Sequence, residues 1–274
     1  MPTLLAMALL AAVVTKPVAN MYSRPSEDAA VVSQAIYATN VAWLESKNGW
    51  VKVRTPDDYT GWMVAASLRR IKRPYASSGR VAQVEALFAN LYRESDVTKH
   101  EPLLTVPFEA RLEVVAESAG DERRWIQVRL PDDRPAWVQR GDLAFGSSLL
   151  DTDALITWSK RFLGLPYLWG GTSAFGYDCS GFTQMLCRRR GLTIPRDAGP
   201  QARWEGVVVV DRADLQPGDL LFFGKSPDKI SHTGMYIGNG EFINATTHER
   251  PVVQISRLAD PHWSGLFVAA RRLK

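Results

Sequence analysis

The sequence predicts an α+β protein in which two small all-β modules precede a mixed domain that carries the chemistry. Three observations predict it. A strand pattern that begins at Trp50 returns at Trp125, an offset of 75 residues. Past Leu150 the pattern changes to two helical stretches and then a run of short apolar strands, the element order of an α+β domain. Within that last part, Cys179 stands where a helix should begin and His232 where a strand should begin.

Composition sets the bounds. A chain of 274 residues is too long for one ordinary domain. With 46% apolar and 23% charged residues it is neither disordered nor fibrous. The 33 basic and 29 acidic side chains leave a formal charge of +4, too small to call for nucleic acid or a membrane surface and compatible with a polyanion such as a cell wall. The two cysteines, Cys179 and Cys187, make neither a disulfide scaffold nor a four-cysteine zinc site. No apolar stretch is long enough to span a bilayer. Leu4–Val14 has the length of a signal-peptide core, but no Lys or Arg precedes it, and it runs into an expected first strand over Val13–Met21. Residues 1–12 are therefore set apart as an apolar N-terminal segment. The compartment stays open between cell envelope and cytoplasm.

The modules are expected over residues 13–73 and 80–146. Trp50-Val51-Lys52-Val53-Arg54 returns as Trp125-Ile126-Gln127-Val128-Arg129, each followed by a Pro-Asp-Asp turn, and Trp62-Met63 returns as Trp137-Val138. Upstream, Ala19-Asn20-Met21-Tyr22 returns as Ala89-Asn90-Leu91-Tyr92 at an offset of 70, so a loop insertion separates the two pairs. Alternation of Val with Lys and Arg is the two-residue period of a half-buried strand, and Pro-Asp-Asp is turn chemistry. The tryptophans are read as core fillers. Tyr59 aligns with Arg134, so it is expected to point outward rather than into a core.

The third domain is expected over 150–274. Asp151 or Thr152 caps a helix whose apolar positions are Leu155, Trp158 and Phe162, and Gly164 with Pro166 ends it. After the loop Tyr167-Leu168-Trp169-Gly170-Gly171, Asp178-Cys179-Ser180-Gly181 opens a second helix, which Gly191 stops. A helix N-terminus favours the thiolate form, the nucleophilic one. Gly181 leaves room for close approach of a backbone or substrate. Cys187, among Met185 and Leu186, is read as structural. Strands are expected over Gly218–Phe223, Thr233–Ile237, Glu241–Ala245, Val252–Ile255 and Leu266–Ala270.

His232 beside Cys179 would form the nucleophile–base pair of acyl transfer. Its small neighbours, Ser231 to Gly234, leave space around the ring; His100, His248 and His262 lack such a setting. Asn244 lies twelve residues on, across a hairpin turned at Gly238-Asn239-Gly240, and could orient the base. A two-residue turn alone would send His232 and Asn244 to opposite faces of the sheet. The pairing therefore requires an odd-numbered turn or a bulge. Other chemistries fit poorly: Gly170-Gly171-Thr172 lacks a phosphate-loop lysine, Cys179, His232 and His248 lack metal-ligand spacing, and no Gly-x-Ser-x-Gly elbow occurs.

The repeated modules resemble bacterial SH3-like barrels. Asp178-Cys179-Ser180-Gly181-Phe182, Pro217-Gly218-Asp219-Leu220, His232-Thr233-Gly234-Met235 and Phe242-Ile243-Asn244-Ala245 together resemble the NlpC/P60 family of cysteine peptidases. With two barrels in front, the chain is similar to the γ-D-glutamyl-L-diamino acid endopeptidases of that family. The resemblance implies a papain-like catalytic domain, a peptidoglycan stem peptide or muropeptide as substrate, no cofactor and a monomer. It implies Cys179 as nucleophile, His232 as general base and Asn244 as orienting residue, where many relatives have His. It further implies cleavage next to γ-D-Glu when L-Ala carries a free amine. Asp178 is expected to accept that ammonium group, and Tyr59 to close the pocket. Ser180, Tyr167, Trp169, Arg196 and Asp197 are expected to line it, with Glu27 or Asp28 as a further carboxylate. The alternatives are a cysteine-dependent acyltransferase or amidase, and a non-catalytic wall-binding protein.

Overall fold

The computed structural model describes residues 10–146 and 148–274. It divides into two compact units, the first ending at Ser147 and the second running from Ser148 to Lys274. Residues 1–9 of the apolar N-terminal segment lie outside the described residues.

The first unit is all-β. Its leading strands are β1 (Leu10–Val14), β2 (Val18–Tyr22), β3 (Val31–Ile36), β4 (Asn40–Lys47), β5 (Trp50–Arg54), β6 (Thr60–Val64) and β7 (Leu68–Ile71). They form one sheet in the order β3-β2-β6-β5-β4-β1-β7. The strand expected over Val13–Met21 is two strands, because Thr15-Lys16-Pro17 intervenes and the Thr15 N–H turns away to the Ser67 carbonyl at 2.9 Å. Strand β1 begins at Leu10, ahead of the expected start at 13. Val51, Val53 and Met63 are fully buried while Lys52 and Arg54 reach the surface, the two-residue period seen in the sequence.

The second set is β8 (Val81–Val84), β9 (Phe88–Leu91), β10 (Leu104–Pro107), β11 (Arg111–Glu117), β12 (Trp125–Arg129), β13 (Pro135–Gln139) and β14 (Leu143–Ala144). Five strands run β13-β12-β11-β8-β14, with β9 and β10 paired separately. One apolar cluster joins the two sets: Val13, Tyr37 and Tyr75 pack with Leu112, Ile126 and Val138. The segment between the sets is pinned. Tyr75 exchanges bonds with the Asn40 side chain at 2.8 Å each way, its hydroxyl donates to the Arg129 carbonyl, and the Ala76 N–H donates to Glu113 at 2.9 Å.

Two expectations need correction here. Trp125 is fully buried, edge-on to Tyr92 at 5.6 Å, but Trp50, Trp62 and Trp137 are half-exposed, and the barrel interiors are filled mainly by aliphatic side chains. Tyr59 does not stand clear of the barrel; it is half-buried and packs on the Met21, Val53 and Met63 cluster.

The second unit contains α1 (Thr152–Ser159), β15 (Thr172–Ser173), β16 (Gly176–Tyr177), α2 (Cys179–Arg188), α3 (Ala198–Ala202), β17 (Val207–Val210), β18 (Leu220–Gly224), β19 (Ile230–Gly238), β20 (Glu241–Thr246), β21 (Val252–Arg257), α4 (Pro261–Leu266) and β22 (Phe267–Leu273). Six strands form an antiparallel sheet, β17-β22-β18-β19-β20-β21. Helix α2 packs on β19 and β20, and every residue from Cys179 to Cys187 is buried. Asp151 caps α1 as expected, accepting from the Ala154 N–H at 2.8 Å. Helices α3 and α4 and the edge strand β17 were not foreseen. No described helix is long and apolar enough to cross a membrane.

Candidate active site

Cys179 opens α2 because Asp178 caps it, its Oδ1 accepting from the Gly181 N–H at 2.7 Å. Gly181 is required for another reason. A Cβ there would lie 2.2 Å from the Gly171 carbonyl oxygen, so the approaching backbone is that of the 168–171 loop. The Asp178 N–H donates to the same carbonyl at 3.1 Å. Cys179 is thereby fixed between a helix start and a loop that can only come this close to glycine.

The backbone N–H of Thr233, the residue after His232, lies close enough to the Cys179 sulfur to favour its thiolate form. His232 comes from β19 and Asn244 from β20. Strand register sets their relation: Met235 faces Ile243, Tyr236 faces Phe242, then Gly238 faces Glu241, leaving Ile237 as a bulge. The turn itself holds two residues, Asn239 and Gly240, both at positive φ. The bulge restores the required parity. Carried along the strands, this register puts Gly234 opposite Asn244 and His232 on the same face. A Cβ on Gly234 would touch Asn244 Cβ at 3.0 Å and Phe242 at 2.7 Å, so glycine makes the room.

His232 Nε2 lies 3.0 Å from Asn244 Oδ1. The amide is held from its other end: Asn244 Nδ2 donates to the Gln254 carbonyl at 3.3 Å and to Ser256 Oγ at 3.1 Å. A carbonyl only accepts, so the nitrogen must face Gln254 and the oxygen must face the ring. His232 therefore carries its proton on Nε2 and keeps the Nδ1 lone pair. The ring is flanked by Trp263 (centroids 4.8 Å apart) and Phe223 (5.8 Å). Trp263, from α4, is 2% exposed.

The charge state differs from the sequence expectation. Burial pushes the Cys179 thiol up to about 12, and the Asp178 carboxylate adds to it; the Thr233 N–H, Arg196 and the Ser180 N–H oppose without prevailing. Burial also draws His232 down to about 4, against the Asn244 hydrogen bond. Near neutral pH the pair is therefore thiol and neutral imidazole. The helix N-terminus favours a thiolate, but withdrawal of the sulfur from water outweighs it. Cys187 is fully buried, as expected of a structural cysteine, and its thiol is likewise pushed up to about 12.

Asp178 also differs from expectation. Its Oδ1 takes bonds from Gly181 N (2.7 Å), Arg196 Nη1 (3.0 Å) and Ser180 Oγ (3.3 Å), and its Oδ2 from Gly170 N (3.0 Å) and Arg196 Nη2 (2.6 Å). Both oxygens are engaged by a bidentate arginine and two backbone donors, leaving little capacity for a substrate ammonium. Arg196 also donates to Ser180 Oγ at 2.9 Å. Gln201 braces the same corner, donating to the Ser180 and Pro195 carbonyls at 3.0 and 2.9 Å. Asp197 is exposed at the start of α3. Tyr167 is half-buried within reach of the charges of Cys179, Asp178 and Arg196, and burial raises its phenol well above the usual range. Trp169 is 68% exposed on the 168–171 loop. Tyr59 belongs to the other unit. Thr233, Trp263, Ser256 and Gln201 were not singled out in the sequence; a short motif carries no signal for a backbone donor or for a residue reached only through the fold.

The NlpC/P60 family pattern matches residues 164–272 and the bacterial SH3 domain pattern matches residues 17–69. A Bacillus cereus protein named γ-D-glutamyl-L-lysine dipeptidyl-peptidase is 35% identical over 88% of this chain and 74% of its own length. A Bacillus subtilis protein of the same name is 31% identical over 89% of this chain and 82% of its own length. The crystal structure of an NlpC/P60 family protein from Bacillus cereus superposes with a TM-score of 0.83 at 30% identity, covering 96% of this chain and 99% of that one.

Proposed function

The chain belongs to the NlpC/P60 family and is a cysteine peptidase, and from that premise we propose that it removes the N-terminal dipeptide L-Ala-γ-D-Glu from peptidoglycan stem peptides by cutting the bond to the diamino acid. The observation that carries the chemistry is the His232–Asn244 pair at 3.0 Å, with the residue after His232, Thr233, near enough to Cys179 for its N–H to favour the thiolate. Relatives named for γ-D-glutamyl-L-lysine cleavage support the substrate class.

The mechanism follows from the resting charges. Cys179 begins as a thiol, so its proton moves to His232 Nδ1 as the sulfur attacks the γ-carbonyl carbon. The Cys179 N–H, at the first position of α2, has no partner within the helix and receives the oxyanion together with a neighbouring donor. As the C–N bond breaks, the imidazolium returns the proton to the leaving amine. Water, deprotonated by the same nitrogen, then attacks the thioester, releasing L-Ala-γ-D-Glu and the thiol. Asn244 holds the ring throughout but adds no negative charge, so it orients the imidazolium more than it stabilises it.

Selection for a free amine needs a carboxylate. Of the two carboxylates beside Arg196, Asp178 is buried and Asp197 is exposed, and we assign the ammonium to Asp197 on that exposure. Ser180, Tyr167 and Trp169 are assigned to the walls of the cleft. The test compares L-Ala-γ-D-Glu-L-Lys, its diaminopimelate analogue and their N-acetylated forms by mass spectrometry of products. The expected result is dipeptide release from the free-amine peptides and none with Cys179→Ala. Cleavage surviving that substitution, or equal cleavage of acetylated peptides, would overturn the nucleophile or the selectivity assignment respectively.

A further inference from the structure

A second group of chemistry-bearing side chains lies outside the Cys179 site, where the turn after β20 meets the start of α4. His248 and Glu249 come from the turn and Asp260 caps the helix. One nitrogen and two carboxylate oxygens from these three residues lie within 4.8 Å of one another. The arrangement is held from several sides. The His248 N–H donates to Thr246 Oγ1 at 3.0 Å, and its carbonyl accepts from Arg250 N at 2.7 Å and Gln254 Nε2 at 3.2 Å. The His262 ring lies flat on His248, centroids 3.8 Å apart and planes 4° from parallel. Among the described residues, neither Glu249 nor Asp260 has a Lys or Arg partner at ion-pair distance. Two carboxylates are thus brought to one imidazole with no cation from the chain between them.

We propose that His248, Glu249 and Asp260 form a binding site for a divalent transition-metal ion on the catalytic domain. The donor set decides the class of ion. One borderline nitrogen with two hard oxygens suits zinc and its first-row neighbours, whereas magnesium and calcium take all-oxygen shells. Ligand atoms around tetrahedral zinc sit about 3.4 Å apart, given bonds of about 2.0–2.1 Å. Closing from 4.8 Å asks for a shift of up to about 1.4 Å, within reach of the exposed Glu249 side chain. His262 is a wall rather than a ligand, because the lone pairs of two parallel rings lie in separate planes and do not converge on one ion. Trp263 connects the site to the catalytic base: its ring is 5.5 Å from His248, 4.7 Å from His262 and 4.8 Å from His232. A bound ion ties the 247–250 turn to the start of α4 and so holds Trp263 against His232.

The test uses the tag-free full chain with Cys179→Ala, which removes the competing thiol. Cobalt(II) is titrated by visible absorption and zinc by calorimetry. The expected result is a single equivalent bound, with ligand-field bands and no thiolate-to-cobalt charge transfer. Adding Glu249→Gln, an exposed position, weakens binding at least about tenfold, and adding His248→Ala does the same. Zinc raises Tm in the Cys179→Ala chain and not in the chain that also carries Glu249→Gln. No binding to the Cys179→Ala chain, or binding unchanged by Glu249→Gln, would overturn the site. Tm of the metal-free variants shows that they remain folded.

Discussion

Replacing Asn244 with Ala separates orientation of the base from its presence. In the native site, Asn244 Oδ1 takes the His232 Nε2–H at 3.0 Å, while Trp263 and Phe223 touch only the faces and edge of the ring. Without the amide the ring keeps its walls but loses the bond that selects which nitrogen bears the proton. A base in the wrong tautomer does not accept from the thiol, and general-base catalysis contributes about 10²–10⁴-fold. The expected loss in kcat is in that range, about 3–5 kcal/mol of barrier. KM changes little, since Asn244 is fully buried and reaches no substrate. Three hydrogen bonds disappear with the side chain, at about 1 kcal/mol each, so Tm falls and the assay is run well below it. The readout is steady-state release of L-Ala-γ-D-Glu, with Asn244→His as the conservative control, because an imidazole can still accept from Nε2. A folded Ala variant within about threefold of the parent in kcat would refute the tautomer argument.

Other consequences are equally open to measurement. His232 works only when neutral, and burial moves its pKa from 6.5 to about 4, so the acid limb of kcat/KM falls off as pH drops through about 4; a limb at or above 6.5 contradicts this. Arg196→Met leaves the Asp178 carboxylate, with its side chain 11% exposed, on two backbone donors and the Ser180 hydroxyl with no opposite charge, a loss of about 3–5 kcal/mol in denaturant unfolding. Adding Asp178→Asn recovers part of that loss, and no recovery would argue against a charge-pair origin. Gly181→Ala drives a Cβ to 2.2 Å from the Gly171 oxygen and costs about 1–3 kcal/mol, seen as a lower Tm; an unchanged melt means that the loop yields freely. Asp197→Asn narrows the gap in kcat/KM between free and N-acetylated peptides, and an unchanged ratio removes Asp197 from substrate selection.

What the sequence reveals is local, and what it hides depends on burial or on distant partners. The start of α2 is legible because Asp178, Cys179 and Gly181 fall at cap, first and third positions. The pairing of Asp178 with Arg196 is not, since eighteen residues separate them and neither carries a mark of the other. The same holds for the thiol. A helix N-terminus can be seen in the residue order, but the withdrawal of Cys179 from water arises only when β19 covers it. Trp263 escapes notice because α4 has six residues, too few for a periodic pattern. Tyr59 misled for a related reason: comparison of two copies ranks a position as variable, yet a half-buried aromatic can pack on a barrel in one copy while an arginine reaches solvent in the other.

The His232–Asn244 pairing rests on a backbone irregularity more than on residue type. With the Asn239-Gly240 turn alone, His232 would face Thr247 and Asn244 would project from the opposite side of the sheet. The unpaired Ile237 shifts the register by one and brings ring and amide to the same face. Gly238, Asn239 and Gly240 all sit at positive φ, and two of the three are glycine, for which that region carries no steric penalty. Gly234 then removes the side chain that would strike Asn244. Three glycines and one looped-out isoleucine thus place an orienting amide 3.0 Å from a base, and the requirement for such a bulge follows from counting residues between His232 and Asn244.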